Sequence, residues 1–440
     1  MAHDTGDGPA DRRQVRSTRR TFLAGIGAAA GVGATSTGAA ASLPEAQPAD
    51  GRLFYVRRGA GRGGNGDSGK YTVLDGRRGN VAFTTGGSAD EAFQFALDQL
   101  AETGGTVVAA PARFQFAGPV TVHGGTHLAG QGGARFVASD TGARDDPVPT
   151  DDQSNPLPTG HDLVRLRGDD VAVTGVVFDA DGTQLDNQAV QADGCDGVYV
   201  ANNRTVNGFQ MALSVTRCRD VTVVGNEVVD PNWYGITNRS APPGGERDLR
   251  RSEDVRIVRN AVGGVKFNNI APYNVEHFAV SGNLVFDGGH SLIACSPSQR
   301  GAIVGNVCRD LTEFAPDPGG EAGIEIEYKE THVNDEVAGT PAARSYDITI
   351  AGNQVDGCPV GVLARTVPAD SGDTAARRQQ RPYGFSVTGN TVSDASDAGI
   401  RVRSGESGVV ATNTLRNNDT AIDVDRGFTA DIQQGLNATR

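Results

Sequence analysis

One asparagine recurs at near-fixed spacing through the chain, at Asn203, Asn226, Asn260, Asn283, Asn306, Asn353, Asn390 and Asn413, and this constrains the fold more than any other feature. The successive intervals are 23, 34, 23, 23, 47, 37 and 23 residues. Four are identical; 47 reads as two periods, and 34 and 37 as one period plus an insertion. The surroundings repeat as well: VTVVGNEV (221–228), FAVSGNLV (278–285), ITIAGNQV (348–355) and FSVTGNTV (385–392) alternate apolar and polar residues and close on Gly-Asn, with an apolar residue two places on. Period-two alternation specifies strands, and strands recurring without helices between them must stack in parallel, coil on coil. An Asn at the same place in every coil then forms a ladder at a tight bend. Val228, Val262, Val285, Cys308, Val355, Val392 and Leu415 continue it as an inward apolar stripe. About ten coils at ~4.8 Å each predict a rod roughly 50 Å long.

A second strand per coil is expected where a small residue precedes an apolar-x-apolar triplet. Ala212–Val215, Gly235–Asn238, Gly264–Phe267, Ser291–Ala294, Gly323–Ile326, Gly361–Ala364, Gly399–Val402 and Ala421–Val424 fit. Its outward positions then align Thr237, Lys266, Ile293, Glu325, Leu363, Arg401 and Asp423 in one row. Arg239, Asn268, Cys295, Glu327, Arg365, Arg403 and Asp425 form the next. The longest insertions (240–251, 269–273, 328–345 and 366–381) are expected to leave one corner just after this strand and so to wall one side of a groove.

Residues 17–23 (STRRTFL), the small apolar stretch 24–32 and the Ala39–Ala41 end resemble a twin-arginine export signal, to be set aside from the fold. Such export carries folded protein, so a secreted location is expected, and no Cys follows the signal to suggest a lipid anchor. The 440 residues are 38% hydrophobic, with no apolar run of spanning length beyond the N-terminus, so the chain is expected not to be embedded in a membrane. Net charge is −13, from 39 Asp and 14 Glu against 37 Arg and 3 Lys. Dense Asp with scarce Lys fits a salt-adapted surface and a halophilic archaeal source. It also argues against nucleic acid, which needs a basic footprint. None of the five Cys has zinc-site spacing. Cys195 and Cys218 stand one period apart and are read as buried thiols, with a disulfide as the lesser alternative.

Before the coils, Ser88 to Glu91 reads as a capping box opening an amphipathic helix through Phe93, Ala96, Leu97 and Leu100, stopped at Gly104 and Gly105. A helix plugging the open end of a solenoid is the expected cap. This cap, the first turn and the Gly-Asn repeats together resemble the pectate-lyase-like superfamily of single-stranded right-handed parallel β-helices, over about Tyr71 to Asp425. The resemblance implies an all-β solenoid with an N-terminal capping helix. The division is then signal 1–41, linker 42–70, cap and first coil 71–135, β-helix 136–430 and tail 431–440. Two motifs of the superfamily are missing: the Asn-Thr-Asp and Gly-His-Gly of polygalacturonases. The Asp-Pro-His-Asp of mannuronan epimerases survives only as Asp230-Pro231-Asn232-Trp233.

The candidate chemistry therefore rests on position. Glu325 and Glu327 lie two apart on one strand, about 7 Å, at the low end of the carboxylate separation in inverting glycosidases. Repulsion between them would raise one pKa and supply an acid beside a base; two solvated surface carboxylates are the plainer alternative. Lys266 and Arg401 are candidate proton acceptors for β-elimination, with Arg365, Arg403 and Arg239 to hold uronate carboxylates; ion pairing among these groups is as good an account of any one of them. His290, near Asp287, is a candidate base. Trp233 and Tyr234, beside Asp230, are candidate sugar-stacking residues, with Asn268 and Tyr273 as further substrate contacts. His277, Lys329, Glu330 and His332 are weaker candidates. No cofactor is specified; calcium is the one such carboxylates could hold. Three outcomes follow from the resemblance and the rows together: an exported polysaccharide lyase or glycoside hydrolase, a non-catalytic binder of glycan or a cell-surface partner, or a uronate epimerase.

Overall fold

Twelve successive coils, from Gly105–Ala109 to Gln433–Gln434, stack into a right-handed parallel β-helix. The computed structural model describes residues 52–59, 69–138, 162–181, 185–238, 251–311, 322–329, 343–367 and 374–440. The export-signal segment, Arg239, Glu330 and His332 lie outside them.

Three sheets hold 15, 12 and 11 strands, the first including three strands that precede the coils; the last coil contributes to the first two sheets only, and each of the first eleven contributes one strand to each sheet. In one coil these are Arg219–Val224, Glu227–Val229 and Tyr234–Thr237, before Ser252–Val258 begins the next. The short middle strand is the one that the two-strand expectation folded into its apolar stripe. Side chains turned inward form one continuous core from Phe54 to Leu415. Helix Ala89–Asp98 closes its N-terminal end, where Phe93 packs against Phe114, Phe116 and Phe136. The helix forms where expected but without the capping box: Ser88 makes no side-chain cap, and the Glu91 carboxylate accepts from Thr85 Oγ1 at 2.5 Å instead. Strand Arg52–Arg58, in the stretch read as linker, pairs with the first coil. Among the described residues no helix is long and apolar enough to cross a membrane.

The asparagine ladder is continuous. The Asn306 Oδ1 accepts from both the backbone N–H and the Nδ2 of Asn283, at 3.0 and 2.9 Å, while Asn306 Nδ2 donates to Val280 O and to Asn353 Oδ1 at 2.9 and 3.0 Å. Asn306 and Asn353 therefore sit on adjacent coils, and the 47-residue interval is one coil carrying a long insertion, not two periods. The ladder also runs one step further, to Asn437, whose Oδ1 accepts from Asn413 at 3.0 Å twice. The last ten residues, read as a tail, thus carry strands Gln433–Gln434 and Ala438–Thr439.

Gly-Asn recurs because the residue before each ladder Asn is left-handed. Gly225, Gly282, Gly305, Gly352 and Gly389 take φ of 63–66° there, and Asn202, Arg259 and Thr412 take 55°, 55° and 59°. A second left-handed corner falls four residues after the Asn and holds Asn207, Asp230, Gly264, Asp287, Asp310, Gly357, Asp394 and Asn417. Asn and Asp tolerate this conformation better than other non-glycine residues. All five thiols are buried and unlinked; Cys195 and Cys218 stack in register, with the Cys195 N–H donating to Cys218 Sγ at 3.3 Å.

Candidate functional site

The third sheet bends so that two consecutive residues face the core on each coil: Ala189 and Val190, Ala212 and Leu213, Gly235 and Ile236, Gly323 and Ile324, Gly361 and Val362. A Cβ on Gly235, Gly323 or Gly361 would come within 2.5 Å of Val262, Val355 or Val392, so only the smallest residues fit. The outward residues that follow form rows fixed by strand pairing. One row runs Gln191, Ser214, Thr237, Ala271, Ala294, Glu325, Leu363, Arg401, Asp423. The next includes Tyr273, Ser296, Glu327 and Arg365.

Lys266 is not on this face. It lies in a bend between Ala261–Val265 of the second sheet and Ile270–Ala271 of the third, so Ala271 takes the place the sequence reading assigned to it. The triplet after Gly264 mimicked a second strand, but Gly264 is the left-handed corner with φ of 70°. Ile293 and Cys295 likewise face the core, leaving Ala294 and Ser296 outward. Distance from the ladder would have found the phase: the inward pair follows Asn203, Asn226, Asn260, Asn283 and Asn390 by nine and ten residues.

Glu325 and Glu327 share the outer face, as expected, but are not solvated: their exposures are 0% and 2%. Glu325 Oε2 accepts from Ser291 Oγ at 2.6 Å and its Oε1 pairs with Arg365 Nε. Glu327 Oε2 lies 3.5 Å from Arg365 Nη2, and the Ser296 hydroxyl bonds the same carboxyl. One guanidinium therefore bridges both carboxyls. Among the described residues no set of three His, Cys, Asp or Glu is arranged to hold a metal. Burial, then the charge of Glu325, raises Glu327 to about 7, against the opposing pull of Arg365 and Lys329. Glu327 is thus poised to carry a proton near neutral pH. Ser291 and Ser296 had no motif of their own; only the corrected phase places them.

His290 borders this cluster. Burial, then Arg365 and Lys329, hold it well below the usual imidazole range, so it is neutral. Its ring packs on Phe267 with centroids 4.2 Å apart, and Phe267 stacks on Trp233 at 4.8 Å and 2°. These three rings occupy one ladder position on successive coils, since Phe267 N donates to Trp233 O and His290 N to Phe267 O. Tyr234 and Tyr273 pack edge-on beside them, together with Met211, Ala271 and Ala294. The Tyr273 hydroxyl accepts from Asn268 Nδ2 at 2.5 Å, and Asn268 Oδ1 accepts from the Ser291 N–H at 2.9 Å. Tyr234, Asn268 and Tyr273 are thereby drawn into the same constellation as the carboxyls.

The remaining candidates separate from it. Arg401 is two coils beyond Glu325 and is held by Asp423 at 2.8 Å and by both oxygens of Asp397. Arg403, one coil beyond Arg365, is exposed. Asp230 and Asp287 fill left-handed corner positions, and Asp230 lies against Gly264 of the next coil. His277 takes a left-handed turn with φ of 55° on the first sheet's side.

The backbone is similar to solved β-helix structures. One is PfbA, a surface adhesin of Streptococcus pneumoniae, with a TM-score of 0.59 and 14% identity over 80% of this chain and 87% of that one. Another is a hyperthermoactive exopolygalacturonase from Thermotoga maritima, with a TM-score of 0.53 and 12% identity over 79% and 87%. A third is DFA-IIIase from Arthrobacter chlorophenolicus A6, without its lid and in complex with GF2, with a TM-score of 0.50 and 16% identity over 80% and 92%. At such identities the likeness is one of fold. No protein-family model and no curated protein sequence matches the chain.

Proposed function

We propose that this protein is an exported carbohydrate-active enzyme that hydrolyses a polysaccharide on the outer face of its third sheet. The observation that carries the reading is Glu327 beside Glu325 on one strand, both buried next to an aromatic wall, where burial and the Glu325 charge raise Glu327. Glu327 would protonate the glycosidic oxygen. Glu325, oriented by Ser291 and Arg365, would activate water on the opposite side of the sugar. Residues two apart on a strand stand about 7 Å apart along the backbone, and Arg365 must swing out from between the two carboxyls to admit that water, so inversion is the expected outcome. Hydrolysis is preferred to elimination because Lys266, the leading base for elimination, lies off the face. The similarity to an exopolygalacturonase and to a DFA-IIIase bound to GF2 supports a carbohydrate substrate.

A second reading has its own support. Full burial of both carboxyls under one guanidinium also describes a self-satisfied ion-pair triad, and a surface adhesin shares the backbone. On that reading the protein binds glycan without cutting it. The test is the purified protein incubated with neutral and uronate polysaccharides at low and high salt, following reducing ends and the ultraviolet absorbance of an unsaturated product. New reducing ends without absorbance, abolished in Glu327→Gln, support hydrolysis. Absorbance overturns it in favour of elimination. Retention of a polysaccharide with neither signal overturns it in favour of the binder.

A further inference from the structure

We propose that the same sheet face carries a second subsite, around Gln188 and Trp233, that takes a neutral, polyhydroxylated sugar unit several coils from the carboxyls. The identification of the occupant as sugar rests on the hydrolase reading; the site itself rests on two polar atoms. Gln188 is 1% exposed, and its Oε1 is buried without a donor; the Trp233 Nε1–H is buried without an acceptor. Strand register stacks Gln188 on Met211 and Met211 on Tyr234, so the orphan acceptor and the orphan donor belong to one outer face two coils apart. Neither serves as the other's partner.

Buried polar groups in folded proteins are almost always satisfied, so two of opposite sense on one face call for a group that supplies both. Hydroxyls donate and accept. Of the rings beside them, Trp233 keeps partial exposure and offers apolar surface to the C–H face of a sugar, while Phe267 is covered by Trp233 on one side and His290 on the other. Two cations on the neighbouring coils are paired with carboxylates, Arg165 with Asp162 at 2.9 Å and Arg217 with Asp193 at 2.6 Å, while Arg167 donates to the neutral Gln191 amide at 2.5 Å and keeps its charge. The two groups to be satisfied, an amide oxygen and an indole N–H, are themselves neutral, so an uncharged sugar fits them better than a uronate. Trp233 and Glu325 are three coil steps apart, about 14 Å along the axis, with the His290 and Phe267 rings between. A ligand reaching both is a chain, lying toward the N-terminal end of the coil stack from the carboxyls.

Trp233 is the only tryptophan in the chain, so its fluorescence reports this subsite alone. The experiment titrates neutral oligosaccharides of increasing length, and a uronate series, into the Glu327→Gln protein. The expected result is a saturable fluorescence change with neutral oligosaccharides, with affinity falling roughly tenfold in the Gln188→Leu background and in the near-isosteric Gln188→Met. Thermal melts of both variants check the fold. No response to any probe, or a response that both Gln188 variants leave unchanged, overturns the subsite. Cleavage by the native protein with no fluorescence response in the variant removes the subsite and leaves the hydrolase. A response that Gln188→Leu weakens, with no cleavage by the native protein, removes the hydrolase and leaves the subsite.

Discussion

The asparagine corner and the outer face of the third sheet both bury polar groups, and they do it in opposite ways. At the corner each Asn meets a copy of itself one coil away, so one geometry satisfies every donor and acceptor from Asn203 to Asn413. On the sheet face no two coils are alike: Gln188, Met211, Tyr234, Asn268 and Ser291 succeed one another in a single row, and Glu325, Glu327 and Arg365 complete one another across coils. Repetition makes burial self-consistent, because a solenoid coil sees only its neighbours. Where the repeat is abandoned, each buried group needs a partner of its own, and charge gathers there.

The largest break in this comparison is Arg365→Met. It leaves Glu325 and Glu327 buried without their cation, and the expected loss is about 3–5 kcal/mol at neutral pH, read from the denaturant midpoint. Adding Glu325→Gln and Glu327→Gln should restore most of it. An unchanged midpoint in the single variant would mean that the triad is not a coupled unit.

Asn306→Ala comes next. It strips two donors on Asn283 of their acceptor and removes the side-chain bond to Val280 O, while Asn353 Oδ1 keeps the backbone N–H of residue 306, at an expected cost of about 3 kcal/mol. Asn437→Ala, at the half-exposed end of the ladder, should cost about 1 kcal/mol. Equal losses at both positions would refute a ladder whose value depends on burial.

Glu327→Gln acts through pH. Glu327 titrates near 7 folded and near 4.5 unfolded, so between those values the folded protein keeps a proton that the unfolded chain releases. Its contribution is fully present below about pH 4.5 and disappears as pH rises through about 7, a total of about 3 kcal/mol. Melts at pH 5 and pH 8 should therefore show the variant gaining on the native protein at the higher pH. Parallel pH dependences would refute the raised value.

The corner was legible from sequence because its signal is repeated: eight Asn, five of them after glycine and set among alternating apolar residues, announce coils, strands and core together. Asn437 escaped because the Gly-Asn pair is replaced by Leu436 and Asn437, in a coil of Gln433 and Gln434 without apolar alternation. The sheet face was half legible. Glu325, Glu327 and Arg365 were placed together because Gly323 and Gly361 mark the bend unambiguously. The phase slipped at Lys266 because a corner glycine, Gly264, imitates a bend glycine, and both are small for different reasons: a left-handed φ at one, a crowded core at the other. Burial of the carboxyls was not legible at all. Outward parity says which way a side chain points, and nothing about what lies over it.

The smallest effect tests why the ladder prefers Gly-Asn. Thr412 occupies the left-handed position with φ of 59°, where five other coils carry glycine, and a β-branched residue is strained there. Its neighbours supply the same ladder bonds as elsewhere, since Asn413 still joins Asn390 and Asn437. Thr412→Gly should therefore relieve strain by about 1 kcal/mol, partly offset by the freedom glycine adds to the unfolded chain. The converse exchange is Gly305→Ala. A Cβ there would meet nothing within 4 Å, so any loss, expected at about 1 kcal/mol, comes from φ and not from a clash. Opposite shifts in the two denaturant midpoints assign the glycines of the ladder to backbone conformation. If Gly305→Ala is neutral while Thr412→Gly still stabilises, Thr412 is strained for a reason other than its left-handed φ.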